Sequence, residues 1–277
     1  MFFSSLATPL ILLVLYATFL SNVYFDSFKM QLGGFPVEEE VLRGLVGGQL
    51  FSSLLAVSCV TVAFCSNLLM VQDRVTGARR DLLIAPVRRS RLAIGYYVAT
   101  LLVTLIIAAV ATGASFIYLA IVGWYLSFAD VLLLLLDILL LVMFGTALSS
   151  VVNYFLTTQG QISAFGSIVS SCYGFVCGAY MPIANFPEGL QSVLSFLPGT
   201  YGTSLLRNHA LRGALSQMEE DGLPGEMIEM IRDSADCNIY FFDTRVETYV
   251  MYLILVGAIL LLFGAFLAIN RLDKRKV

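Results

Sequence analysis

The residue types that usually carry catalysis are scarce in this sequence. His209 is the only histidine, and no group of cysteines, histidines and acids has the spacing of a metal site. The glycine-rich loop G-x-x-x-x-G-K, which holds nucleotide phosphates, is absent. We therefore expect no catalytic residue, no metal or cofactor bound by this chain, and no ATP hydrolysis by the chain alone. His209 is expected to form surface hydrogen bonds. The five cysteines predict no disulfide framework, and Cys237, outside the apolar runs, is either free or bridges two copies.

Charge is concentrated in one short stretch, residues 73–91, which reads DRVTGARRDLLIAPVRRSR. It holds six arginines and two aspartates. Arginine forms forked, charge-assisted hydrogen bonds with carboxylates, so this stretch can bind an acidic protein surface. Leu82, Leu83 and Ile84 predict a short amphipathic helix that lies on the membrane or docks on a soluble partner. The alternative is that the arginines only mark a cytoplasmic loop.

The elements that position this stretch are membrane helices. Hydrophobic residues make up 58% of the chain, charged residues 13%, and mean hydropathy is +0.86, far outside the range of soluble domains. Six apolar runs are close to the ~20 residues that cross ~30 Å of hydrocarbon, without the alternation of a membrane β-barrel. We predict an all-α integral membrane protein, a single domain over residues 1–277, with six spans at residues 6–25, 49–71, 94–122, 131–152, 162–180 and 249–269.

Lysine and arginine counts orient the spans, because cytoplasmic loops carry the excess of both. The loop at residues 72–93 and the C-terminal tail NRLDKRKV are basic. Residues 26–48 have two positive charges against four acids, and residues 181–247 have four against ten. The acidic loops are therefore predicted to face outward. Both termini should be cytoplasmic, in a multi-pass protein of the plasma (cell inner) membrane.

Three stretches together carry a resemblance to a known family. The loop after the second span has the order Gln72, Asp73, Arg74, then Gly77, Arg80, Asp81, Leu82, then Ala85, Pro86, Val87, Arg88, Arg89. The chain begins with MFFSSLATPLILLVLYATFL, and GAYMPIANFPEGLQSVLSFLPGTYGTSLLRNHALRG follows the fifth run. In collinear order over nearly the whole chain, they resemble permease subunits of type-2 ATP-binding-cassette (ABC) exporters, including multidrug and antibiotic-resistance permeases.

The resemblance implies partners. In that family the loop after the second span forms a coupling helix on a separate ATPase subunit, which binds ATP and Mg. The resemblance makes residues 72–93 the coupling loop and places at or near the ATPase contact Asp73, Arg74, Gly77, Arg79, Arg80, Asp81, Arg88 and Arg89. It also implies a second permease, identical or homologous, with spans two and five facing their mates across a dimer axis. The expected partners are thus the ATPase, that permease and lipid, with no nucleic acid.

The outer region, residues 181–248, is predicted to hold short helices and no independent domain. Asn185 can cap a first helix that Pro198 ends, Gly213 ends a second, and Pro224 opens another. The alternative to a functional role is an ordinary interfacial helix. The resemblance implies an outer lid over the pathway, with prolines at Pro182, Pro187 and Pro198.

Two spans have a face of small and polar residues that predicts either a pathway or close packing at a dimer axis. In span two this face includes Gln49, Ser52, Ser53 and Asn67, and in span five it includes Ser163, Ser167 and Ser171. Gly174 and Gly178 form a small-xxx-small pattern, which favours packing in span five.

Asp137 is the one acid well inside a predicted span. A central aspartate costs roughly 2.5–3.5 kcal/mol to insert, so its side chain should face protein or water rather than lipid. It is interpreted either as a proton relay or as a hydrogen-bonded, protonated packing residue.

Three classes of function remain. The leading hypothesis is the membrane subunit of an ATP-driven exporter, which moves an amphiphilic small molecule, drug or peptide out of the cytoplasm by alternating access. Within that class, polysaccharide or lipid export is the alternative. A proton-coupled secondary transporter using Asp137 is the second class, although such carriers often show repeats or several intramembrane charges. An intramembrane enzyme is the third, and it needs a nucleophile beside a base.

Overall fold

The computed structural model describes residues 11–78, 82, 84, 89–242 and 244–272, and helices dominate this part of the chain. The helices are α1 (Ile11–Gln31), α2 (Glu39–Thr76), α3 (Arg89–Val122), α4 (Phe128–Phe155), α5 (Gln159–Val176), α6 (Glu188–Leu194), α7 (Pro198–Glu220), α8 (Gly225–Ser234) and α9 (Thr248–Leu272). A π-helical turn, Tyr16–Leu20, lies within α1, and a 3-10 turn covers Ile183–Asn185. The short strands β1 (Tyr240–Phe241) and β2 (Thr244–Arg245) pair antiparallel.

Five of the described helices are long and apolar enough to cross a membrane, namely α1, α2, α3, α4 and α9. They confirm the prediction of an all-α membrane protein. Helix α5 lies at the predicted fifth span and has 18 residues, but it is richer in polar side chains and is not among the five. A sixth span therefore stays a prediction.

Helix α2 forms the centre of the bundle. It has 38 residues, about 57 Å at 1.5 Å per residue, and it packs against α1, α3, α4, α5 and α7. It begins at Glu39 rather than at residue 49, because its charged outer turns continue the helix beyond the apolar run. Gly145 lets α4 approach α2 closely, because a Cβ at this position would lie 2.9 Å from the Cα atom of Val60 in α2.

Local sequence sets the starts of α4 and α5. The Ser127 hydroxyl accepts a hydrogen bond from the backbone N–H of Asp130, whose carboxylate accepts one from the Ser127 N–H. Thr158 and Gln161 form the same reciprocal capping box before α5. Asp130 therefore lies in the first turn of α4, at the edge of the apolar run.

The outer region differs from the prediction. Pro198 does not end a helix, because α6 has already ended at Leu194 and Pro198 is the first residue of α7. Gly213 lies inside α7, so the prediction that it ends a helix is wrong. Asn185 belongs to the 3-10 turn, and Pro187 is the residue before α6. The prediction that Pro224 opens a helix is confirmed by α8.

A glycine is needed at position 213 for close packing and not for helix termination. A Cβ at this position would overlap the carbonyl oxygen of Tyr125 in the loop between α3 and α4. Ala210 lies one turn before Gly213 in α7 and packs against α2. A Cβ on Gly48 of α2 would lie 2.7 Å from the Ala210 carbonyl oxygen. These glycines allow α7 to sit against α2 and the α3–α4 loop.

We expect Gly213→Ala to lower the thermal unfolding temperature of the purified chain, because the added methyl forces α7 away from Tyr125, at a cost of about 1–3 kcal/mol. The matched control is Gly257→Ala in α9, where no heavy atom lies within 4 Å of the new Cβ. Equal unfolding temperatures for the two variants would contradict this close packing of α7.

Candidate functional site

Helix α7 carries charged and titratable side chains into the interior of the bundle. Its residues Arg207 and His209 are only 0% and 2% exposed, and the helix packs against α2, α4 and α9. Burying an unpaired charge is costly, so each of these side chains needs a partner of complementary charge or hydrogen bonding. The structure supplies both partners.

Arg207 forms a buried ion pair with Asp236, in the segment between α8 and β1. The guanidinium Nη1 lies 2.8 Å from Asp236 Oδ2. Its Nη2 donates to the Gly178 carbonyl oxygen at 2.6 Å and to Ser53 Oγ at 3.4 Å. Asp236 also accepts from the backbone N–H groups of Ile183, at 2.6 Å, and Ala184, at 3.1 Å. This ion-pair hub joins α2, the end of α5, the 3-10 turn and α7.

The hub requires a glycine at position 178. Gly178 has a φ of +77°, which favours glycine, and a Cβ there would lie 2.9 Å from Ile183 Cγ1 and 3.0 Å from Asp236 Oδ2. A Cβ on Gly174 would overlap the Tyr180 ring. The small-xxx-small pattern therefore makes room for the chain's own outer turn.

A second buried cluster joins three helices. The Asp137 side chain on α4 places Oδ2 2.6 Å from His209 Nδ1 on α7, and its Oδ1 accepts from the Tyr252 hydroxyl on α9 at 2.6 Å. The prediction of His209 as a surface residue is wrong, because α7 lies inside the bundle. Asp137 faces protein, as predicted.

Sequence reasoning missed Arg207, Asp236 and Tyr252 as well as the place of His209. A usable signal was present for one pair, since an intramembrane acid needs a partner and the chain has a single histidine. Nothing local marks the hub, because its two charges are 29 residues apart.

At the other end of α2, two predicted coupling-loop residues hold neighbouring helices. Asp73 Oδ2 accepts from the Tyr96 hydroxyl on α3 at 2.7 Å. Arg74 Nη1 donates to the carbonyl oxygens of Tyr154, at 2.6 Å, and Leu156, at 3.2 Å, at the end of α4. Its guanidinium also lies 5.1 Å from the centre of the Tyr154 ring.

The rest of the predicted coupling loop is described only in part. Gly77 ends α2 with a φ of +87°. Leu82 and Ile84 are helical, and their side chains are 47% and 83% exposed, so the described part of the chain does not cover them. Arg89 is the first residue of α3. Outside the described residues lie Arg79, Arg80, Asp81 and Arg88.

The residues predicted to line a pathway fall into two separate places. Those of α2 are buried inside this one chain, namely Gln49, Ser52, Ser53 and Asn67. Asn67 donates to Ser149 Oγ at 3.1 Å and to Ser150 Oγ at 2.9 Å, which fastens α2 to α4. Those of α5 are exposed on the surface of the single chain, namely Ser163, Ser167 and Ser171. Their role in a pathway or dimer axis stays a prediction.

The predicted lid prolines mark the joints of the outer region. Pro182 precedes the 3-10 turn, Pro187 precedes α6, and Pro198 opens α7. Whether they form a lid stays a prediction.

An apolar cavity of about 350 Å³ lies among α4, α5, the start of α7 and α9. Its walls include Phe144 and Leu148 of α4, Val176 of α5, and Leu261 and Leu262 of α9. Two of the helices that line it, α4 and α9, are candidate spans. Because its walls are apolar, the cavity accepts hydrocarbon more readily than polar groups.

These features define a helical multi-pass membrane protein with paired charges in its interior. The model of the ABC-2 family transporter proteins matches residues 26–268, most of the chain. The chain belongs to this family, whose members are membrane components of ABC transporters. No curated protein matches the chain closely enough to name a relative.

All five cysteines are free in the single chain. Cys237 is buried beside the hub and only 2% exposed, a position unsuited to a bridge between copies. Burial raises the pKa of its thiol to about 12.

We therefore predict that Cys237 resists alkylation in the folded chain, because maleimides react with exposed thiolates. A Cys237→Ser variant should incorporate as much reagent as the wild type at pH 7.5 when folded, and one equivalent less after denaturation. Labelling of folded Cys237, measured by mass spectrometry, would contradict its burial.

We further predict that Arg207→Met destabilises the chain by about 3–5 kcal/mol, because it leaves Asp236 buried without its cation. The control is Arg245→Met, which removes an exposed ion pair with Glu229 whose side chains are 42% and 50% exposed and costs at most about 1 kcal/mol. Thermal unfolding in lipid nanodiscs compares them. Adding Asp236→Asn to Arg207→Met should restore part of the loss, and equal effects of Arg207→Met and Arg245→Met would contradict the hub.

Proposed function

We propose that this chain is the membrane-spanning subunit of an ATP-driven exporter of the plasma membrane. It moves an amphiphilic small molecule, drug or peptide out of the cytoplasm, and a separate ATPase subunit supplies the energy. Family membership supports the transporter class. The observation that carries the coupling role is the set of contacts made by Asp73 and Arg74, described next.

The cytoplasmic end of α2 is built to pass on a displacement of the loop that follows it. Asp73 is bonded to α3 through Tyr96, and Arg74 is bonded to the end of α4 through Tyr154 and Leu156. A displacement of this loop would therefore be transmitted to α2, α3 and α4 together. Ile84 is exposed, in a stretch whose sequence is rich in arginine, and it suits an interface with a soluble partner.

Helix α2 also connects the two ends of the molecule. Its Ser53 is bonded to Arg207 in the ion-pair hub, and Arg74 lies 21 residues later, about 30 Å along the helix. A shift or rotation of α2 at the ATPase would therefore act on α7 and the outer turn. In this proposal α6, α7 and the prolines around them form the outer lid.

The exposed serine face of α5 supports a sixth span and a dimer. Ser163, Ser167 and Ser171 are exposed in the single chain, and the Ser167 hydroxyl donates to the Ser163 carbonyl oxygen at 3.0 Å. Hydroxyl groups in a membrane favour helix interfaces or water-filled paths over lipid contact. We propose that α5 crosses the membrane and faces a second permease copy or homologue, with both termini in the cytoplasm.

The apolar cavity supports an amphiphilic substrate. Its walls of phenylalanine, leucine and valine give no hydrogen-bonding surface for a polysaccharide. It fits the apolar part of a drug, a peptide or a lipid. Stimulation of ATP hydrolysis by a panel of compounds, measured on the reconstituted complex, identifies the substrate.

Reversing Arg79 and Arg80 to glutamate should leave membrane insertion intact but uncouple ATP hydrolysis from export. The reason is that each charge-assisted contact with an acidic ATPase surface is worth about 1.5–3 kcal/mol, roughly a tenfold loss or more. Export is measured in proteoliposomes that contain this chain and its ATPase. The control is Arg245→Glu in the outer hairpin, which should export normally.

Unchanged export by the Arg79→Glu, Arg80→Glu variant would contradict the coupling role of the loop. Export driven by a proton gradient in vesicles that lack the ATPase would contradict the proposed energy source.

A further inference from the structure

The cluster of Asp137, His209 and Tyr252 has no part in the proposed coupling path, yet it ties α7 to the candidate spans α4 and α9 by hydrogen bonds. Asp137 is fully buried and His209 is 2% exposed. Both oxygens of the Asp137 carboxyl group are occupied, one by His209 Nδ1 at 2.6 Å and the other by the Tyr252 hydroxyl at 2.6 Å.

A count of protons gives this cluster two charge states. With Tyr252 donating to Asp137, the His209–Asp137 pair holds either one proton in all or two. With two protons, as imidazolium and carboxylate or as imidazole and carboxylic acid, the pair has no net charge. With one proton it carries a net charge of −1. An uncompensated charge in a bundle interior is costly, which favours the pair with both protons.

No other cation is free to compensate that negative charge among the described residues around the cluster. On α7, Arg207 is paired with Asp236, and Arg212 is paired with Asp130 of α4 at 3.2 Å. The sequence has no Asp, Glu, Lys, Arg or His within residues 44–72 of α2, 92–122 of α3 or 249–270 of α9. The titratable groups within those ranges are tyrosines and cysteines, which add no positive charge.

We infer that Asp137, His209 and Tyr252 form a proton-binding site that takes up one proton when α7 is seated in the bundle. The proton is shared between His209 and Asp137, and Tyr252 holds the second carboxylate oxygen in place. When α7 separates from α4, each group is solvated alone, and the proton is released to water above the range in which free imidazole titrates, near ~6.5.

Seating of α7 then depends on pH. The seated chain binds one proton that the separated groups release, so its stability falls as pH rises above ~6.5. The inference concerns this chain alone. In the proposed exporter, this proton-binding site would link each movement of α7 to the pH outside the membrane.

Because His209 is the only histidine, nitrogen-15 labelling of histidine reports this site alone. The experiment uses the full chain in lipid nanodiscs, purified without a histidine tag, and follows the imidazole nitrogens by NMR between pH 5 and 9. We expect His209 Nδ1 to stay protonated, in hydrogen bond with Asp137, and the second proton of the pair to remain bound at pH 7.5. We expect Asp137→Asn to release that second proton, and Tyr252→Phe, which keeps the ring, to lower the pH at which it leaves.

The control is Glu229→Gln, which removes an exposed carboxylate and should leave the histidine spectrum and its pH profile unchanged. Thermal unfolding against pH gives a second measurement. The wild type should lose stability from pH 6.5 to 8.5, and His209→Gln should lose much of that dependence while Glu229→Gln keeps it.

A wild-type His209 that titrates as a free imidazole, or a spectrum unchanged by Asp137→Asn, would overturn the inference. Neither measurement needs an ATPase or a substrate. Failure of the exporter proposal therefore leaves this test intact, and failure of this test leaves the exporter proposal untouched.

Discussion

The constraint on which the structure depends is the burial of α7, a helix with charged side chains, in a bundle of apolar helices. Its Arg207 and His209 are almost fully buried, and each meets a carboxylate from a distant part of the chain, Asp236 and Asp137. Without Asp236, the Arg207 guanidinium would stay buried without compensation, at a cost of several kcal/mol. The glycines at positions 48, 178 and 213 also allow close packing around α7 and the ion-pair hub, because a Cβ at each would collide with a neighbouring segment of the chain.

Helix α2 joins this arrangement to the loop that follows Thr76, which we propose to be cytoplasmic. The contacts of Ser53 with Arg207, and of Asp73 and Arg74 with α3 and α4, lie on one continuous helix. A continuous α-helix resists bending, so its two ends move together. In the proposed orientation, this connection is a direct route from a cytoplasmic loop to the outer face of a membrane component of an ABC transporter. The chain needs no catalytic group of its own for that task.

The sequence predicted what depends on local pattern. Apolar runs located α3, α4 and α9 to within a few residues, since the hydrophobic length of a span is a local property. Pro224 likewise predicts the start of α8. The prediction that a helix ends at Gly213, with His209 at the surface, is wrong for α7, which continues to Glu220 and is buried at His209. Its true position depends on Asp137 and Asp236, which lie 72 and 29 residues away from their partners, and on a glycine selected for packing. Such long-range pairs leave no periodic signal.

The account requires α7 to enter the bundle from outside the cell while the arginine-rich loop lies in the cytoplasm. Cysteines introduced one at a time at Glu220, beyond the buried part of α7, and at Thr76, the last helical residue of α2 within the loop, test both sides with a membrane-impermeant maleimide. Both native side chains are exposed. The account predicts that Glu220→Cys is labelled in intact cells and that Thr76→Cys is labelled only after permeabilisation, each above the wild-type background. Labelling of Thr76→Cys in intact cells, with Glu220→Cys protected, would contradict it.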